Sequence, residues 1–168
     1  MTARLLLKAL SLSILAGCAS EPPVPPPAPP TIVNVNIESG ADVNADIDGN
    51  GSPVMLRIFE LREQSNFTSA DFFDLFDKAS VTLGSDSIRK QELLLKPGDN
   101  KQLTLKPDDD ARSLGVFAAF RQLDTAQWRA TADIVAHRTQ NVTIKLNANR
   151  LSLETKLEEP KPEPEAED

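Results

Sequence analysis

From Thr31 to Glu38 apolar and polar residues alternate: Val33, Val35 and Ile37 on one face, Asn34 and Asn36 on the other. Period-two alternation fits a half-buried strand and no helix. The pattern recurs along the chain. Val54 to Arg62 sets Val54, Leu56 and Ile58 against Met55, Arg57 and Phe59. Arg89–Leu95 stops at the turn Lys96-Pro97-Gly98-Asp99, and Lys101–Leu105 stops before Pro107. Leu114–Phe120 is apolar and small throughout, as a strand covered on both faces should be. Gly115, Ala118 and Ala119 would let neighbours approach closely there. Gln127–Val135, Asn141–Leu146 and Asn149–Thr155 complete a set of about eight strands. Short strands at turn-rich spacing predict an all-β fold, a two-sheet antiparallel sandwich or a barrel.

One segment breaks the period. Between Asn66 and Ala79, Phe72, Phe73 and Phe76 fall at helical spacing beside Leu75. This predicts one short amphipathic helix inserted between strands. Thr68 or Ser69 would cap it, with Asp71 three residues after Thr68. Its rings either close the core or line a ligand pocket.

The ends of the chain are not strand-like. Residues 1–17 read as a signal peptide: Arg4 and Lys8 open it, and Ala9–Ala16 is mostly apolar. The run is shorter than the roughly 20 apolar residues of a membrane-spanning helix. It ends in Leu15-Ala16-Gly17-Cys18, which holds the one cysteine of the sequence. The tetrapeptide resembles the bacterial lipobox, which makes Cys18 the expected lipid-attachment site, and a single cysteine excludes an internal disulfide. An exported domain without disulfides must be held by its core alone. Residues 21–30 contain seven prolines, a composition that blocks helix and sheet and favours an extended spacer. The sandwich is expected over residues 31–156. Residues 157–168 carry six acidic residues and one lysine, which predicts a disordered acidic tail.

Charge narrows the function. The chain carries −7; removing Arg4 and Lys8 leaves −9 (−7 minus 2). That argues against nucleic-acid binding and against electrostatic docking on anionic lipid. Chemistry is equally unsupported. His137 has no nucleophile arrangement beside it, and one histidine cannot build a zinc site. Asp42-Val43-Asn44-Ala45-Asp46 resembles the start of a calcium loop. However, Ile47 stands where that motif needs glycine, and Pro53 stands where it needs glutamate. No catalytic residue, no metal site, no cofactor and no small-molecule substrate are expected, and the chain reads as a non-enzyme. Residues 39–53 read instead as a polar exposed loop, of the kind that carries partner contacts.

Taken in order, these pieces resemble the outer-membrane lipoprotein of the bacterial type VI secretion system, the TssJ family. The matching residues are the lipobox Leu15–Cys18, Val43–Asp46, Gly51-Ser52-Pro53 and the strand Val54–Leu61. They continue with Phe67, Ser69–Leu75, Leu83-Gly84, Lys96-Pro97-Gly98, Leu114–Arg121 and Trp128-Arg129. Ala19 after the lipidated cysteine favours the outer membrane by the bacterial sorting rule. The resemblance implies a transthyretin-like sandwich facing the periplasm. It also implies anchoring of the secretion membrane complex through the periplasmic part of the large inner-membrane component, TssM. The loop between the first two strands takes part in that contact in the family. Here it supplies Asp42, Asn44, Asp46, Asp48 and Asn50. The rival expectation is a periplasmic small-ligand-binding sandwich. Phe72, Phe73 and Phe76 discriminate between the two, according to whether they line a cavity or pack shut.

Overall fold

A computed structural model describes residues 26–159. The signal segment, Cys18, the first half of the proline spacer and most of the acidic tail lie outside the described residues. The strands are β1 (Ile32–Ser39), β2 (Val54–Leu61), β3 (Ser87–Leu95), β4 (Asn100–Leu105), β5 (Ser113–Ala118), β6 (Arg129–Asp133), β7 (Thr139–Asn147) and β8 (Arg150–Leu157). They form two four-stranded sheets, ordered β4-β1-β7-β8 and β3-β2-β5-β6. The expected two-sheet sandwich is present.

Alternation decides the packing. Val33, Val35 and Ile37 of β1 meet Leu56 and Ile58 of β2, Leu114 and Val116 of β5, and Val142 and Ile144 of β7 in one buried cluster between the sheets. The opposite face of the first sheet is polar. Its amides satisfy one another: Asn34 Nδ2 donates to Asn141 Oδ1 at 3.2 Å, and Thr104 Oγ1 donates to Asn34 Oδ1 at 3.2 Å. The hollow on this face, about 310 Å³, is lined by Asn34, Asn36, Gln102, Thr104, Asn141 and Thr143 among others.

One strand pair is not antiparallel: β1 and β7 run parallel, from Ile32↔Thr139 to Ser39↔Leu146. β1 is not followed, and β7 is not preceded, by a neighbour in its own sheet. The chain leaves β1 for β2 and enters β7 from β6, and both partners lie in the other sheet. Such crossovers leave the direction of pairing free. The last strand also runs one residue past the expected boundary at 156. Leu157 pairs with Gln140, and the Glu158 amide donates to Thr139 O at 3.0 Å.

The expected single helix is two. Helix α1 (Ser65–Ser69) and helix α2 (Phe72–Leu83) are separated by extended Ala70 and Asp71, and α2 kinks at Lys78. Thr68 and Ser69 therefore lie in α1, and Asp71 begins α2 without a side-chain cap bond. The break has a packing cause. Phe67 and Phe72 are five residues apart, so on one continuous helix they would lie about 140° apart. The break lets both face the sheet. Phe67, Leu75 and Leu83 then cover Phe59, Leu61 and Phe117 on the outer face of the second sheet, in a second buried cluster. This is why β5 is buried along its whole length. Gly115 makes the close approach possible. A Cβ there would lie 2.7 Å from Leu61 Cδ1 and 3.1 Å from the Phe67 ring.

Two arginines fasten the helices down. Arg129 Nη1 donates to the Phe67 and Ala70 carbonyls, at 3.2 and 2.5 Å. Arg57 Nη1 donates to the Leu75 and Phe76 carbonyls, at 3.3 and 2.5 Å, while its Nε holds Glu92 at 2.6 Å. Each guanidinium binds carbonyls beside a helix end or kink, where intrahelical partners run out. Each also lies over an aromatic ring: Arg129 over Trp128 at 4.6 Å, Arg57 over Phe76 at 5.0 Å.

Candidate partner-binding interface

The strand β1 separates two ends of the molecule. At its start, the Ile32 amide donates to Arg138 O at 3.0 Å. There His137 Nδ1 lies 3.0 Å from the Pro29 carbonyl, and the His137 amide donates to Thr31 Oγ1 at 2.9 Å. His137 thus sits in a turn with φ of 60°, against the last residues of the proline spacer. The C-terminal segment leaves from the same end, where Arg138 Nη2 donates to Glu158 O at 3.0 Å. At the other end of β1, the Ser39 amide donates to Asp99 O at 2.9 Å and the chain enters the β1–β2 loop. Eight residues at roughly 3.3 Å each place the two ends about 26 Å apart.

The loop is built from its own side chains. Val43 is fully buried and closes the end of the core. Asn44 is 7% exposed and has a φ of 51°. Its Nδ2 donates to Pro53 O at 2.8 Å, its Oδ1 accepts from the Arg121 amide at 2.7 Å, and its own amide donates to Ala148 O at 2.6 Å. One residue therefore ties the loop to the start of β2, to the segment after β5 and to the β7–β8 turn. Asp46 Oδ1 accepts the amides of Asp48 and Asn50, each at 2.9 Å. Gly49, at φ 83°, makes the return, donating its amide to Asp46 O at 3.1 Å. The bond from Asn50 N–H, more than the one from Asp48, holds the Asp46 carboxyl below its ordinary 3.8. Because that pKa is lowered on folding, its support of the loop is complete above the unfolded value. It is lost as pH falls through the lower folded one.

The five polar positions expected to face a partner thus divide. Asn44 and Asp46 turn onto the loop itself, whereas Asp42, Asp48 and Asn50 are exposed. Ile47, which in sequence only breaks the calcium-loop pattern, is 99% exposed at the loop tip. Its one sequence signal was an isoleucine between two aspartates. Beside the loop is a hollow of about 210 Å³, lined by Asn44, Asp46, Phe120, Gln122 and Asn149 among others. An Asn44→Ala variant is expected to lose both side-chain bonds and to place alanine in a left-handed conformation. A cost of roughly 2 kcal/mol follows, read by urea denaturation. Amide exchange within residues 41–52 should rise more than in the sheets.

The ring residues answer the rival expectation. Phe72 contacts Phe117 and Trp128 edge-on at 5.7 and 5.2 Å and stacks on Phe76 at 5.4 Å. Phe73 is 65% exposed. None of the three lines either hollow. Among the described residues, no group of three His, Cys, Asp or Glu is placed to hold a metal ion, and no helix is long and apolar enough to cross a membrane.

The architecture defines a β-sandwich with a helical cover on one sheet and a self-braced loop at one end. The family described as type VI secretion lipoprotein (VasD, EvfM, TssJ, VC_A0113) matches residues 31–149, and the chain belongs to it. Among solved structures it is similar to the type VI lipoprotein TssJ1 from Pseudomonas aeruginosa. The identity is 35%, over 80% of this chain and 100% of that one, with a TM-score of 0.75. It is also similar to Serratia marcescens Lip, a membrane-bound component of the type VI secretion system. Here the identity is 25%, over 77% and 99% of the two chains, with a TM-score of 0.69. A third similarity is to a chain of the structure described as the TssM C-terminal domain from EAEC. That match has 25% identity over 73% and 97% of the chains, with a TM-score of 0.61. A comparison with curated proteins returned no match.

Proposed function

We propose that this lipoprotein anchors the type VI secretion membrane complex to the outer membrane as a non-enzymatic tether. Lipid on Cys18 would hold the inner leaflet of the outer membrane. The proline spacer would carry the sandwich into the periplasm, and the β1–β2 loop would bind the periplasmic part of TssM. The observation that carries this reading is the polarity of β1. Its first residues adjoin the spacer, and its last residues open into the self-braced loop; a lipid on Cys18 would then lie toward the end opposite the loop. Membership of the type VI lipoprotein family supports the setting.

The test replaces residues 42–50 with a Gly/Ser linker of equal length. Pull-down of the periplasmic region of TssM is expected to be lost, with the strand signal in circular dichroism kept. Unchanged pull-down would move the interface to another surface.

A further inference from the structure

We infer that Ile47 is the anchor of this interface, inserting into an apolar socket ringed by basic residues on the periplasmic partner protein. The inference rests on the loop being the binding site. A single exposed aliphatic residue is ordinary on a protein surface. Three further features set Ile47 apart.

The first is rigidity. Ile47 lies between Asp46, whose carboxylate holds the amides of Asp48 and Asn50, and the glycine that returns the chain. Asn44 fixes the base of the same loop through three bonds. The side chain is therefore presented on a backbone already ordered, and binding does not bear the cost of ordering it.

The second is charge. Residues 41–52 contain Asp42, Asp46 and Asp48 and no Lys or Arg. The base whose field reaches Asp46 is Arg121, and it acts less than the backbone bonds do. Two exposed carboxylates, Asp42 and Asp48, accompany the isoleucine. A complementary surface must therefore be apolar at its centre and basic at its rim. Such an arrangement, an apolar anchor within a ring that excludes water, concentrates binding energy in a few residues.

The third is continuity. The hollow beside the loop shares Asp46 with it and extends the surface to Phe120, Gln122 and Asn149. A partner seated on Ile47 would have this recess next to it to receive one of its own side chains.

The experiment measures binding of the full lipidated chain, in detergent, to the purified periplasmic region of TssM by biolayer interferometry. Ile47→Ala is expected to weaken binding roughly tenfold or more, mainly by faster dissociation, with Ile47→Val close to wild type. Asp42→Asn with Asp48→Asn is expected to slow association and flatten its salt dependence. Ile47 touches nothing that the fold needs, so its variants should melt as wild type does. Binding of Ile47→Ala within twofold of wild type would overturn the inference. If the Gly/Ser loop then still abolished binding, only the anchor would fall; if it did not, the loop assignment would fall as well. An effect of Ile47→Ala on self-association of the chain, with partner binding unchanged, would also overturn it.

Discussion

A Cys18→Ser variant is expected to leave the outer-membrane fraction and to abolish type VI secretion. Serine has no thiol for the thioether. Lipid anchoring gains about 0.8 kcal/mol per buried CH₂, so several acyl chains hold where one would be marginal. Nothing among the described residues replaces them. Cleaved before Cys18, the chain would carry about nine net negative charges (−7 minus 2), which anionic lipid would repel, and no described helix can cross a bilayer. Residues 1–17 could still hold an uncleaved precursor at the inner membrane. The deciding measurement is therefore a density gradient that separates the two membranes, together with a secretion assay. A serine variant that bands with the outer membrane and still secretes would refute the tether.

The second large effect is on stability. Phe117→Ala should cost about 3–5 kcal/mol, the usual range for removing a buried phenylalanine. Phe117 is fully buried and stacks on Phe59 at 6.0 Å, with Phe72 at 5.7 Å and Trp128 at 6.4 Å against it. Its ring also lies 5.4 Å beneath the Arg57 guanidinium. The truncation would therefore open a cavity and loosen the arginine that fastens α2. A single cysteine excludes an internal disulfide as reserve. Against a total stability of about 5–15 kcal/mol, the urea midpoint should fall steeply and the melting temperature by roughly 10 °C or more. Phe73→Ala, on the exposed side of α2, is the control and should barely move either. A loss under about 1 kcal/mol for Phe117→Ala would mean that the helical cover contributes little.

The strands were legible because their alternation is local. Val33-Asn34-Val35-Asn36-Ile37 dictates which side is buried whatever the neighbours are. The double burial of β5 was legible in the unbroken apolar run from Leu114. The break between α1 and α2 was not, because it depends on where Phe67 must sit against Gly115, a residue far away in sequence. The parallel pairing of β1 with β7 is likewise a product of the crossovers. At the loop, composition marked a polar, exposed segment but not the work of each residue. Asn44 and Asp42 look equivalent in sequence. Only long-range bonds to Pro53 and Arg121 make the first a brace and leave the second in solvent. Exposure of Ile47 is in turn a property of the folded loop, since Val43, four residues earlier, is fully buried.

The placement of β1 also has a mechanical consequence. A pull between the spacer at residue 31 and the loop beyond Ser39 runs along the axis of a strand paired on both sides. Its partners are β4, from Val33↔Leu105 to Glu38↔Asn100, and β7, from Ile32↔Thr139 to Ser39↔Leu146. Load in that direction shears both ladders at once, and their bonds must fail together. A pull across the strand would instead peel them one by one. Tension between the two ends is thus carried in the direction in which the sheet is hardest to tear.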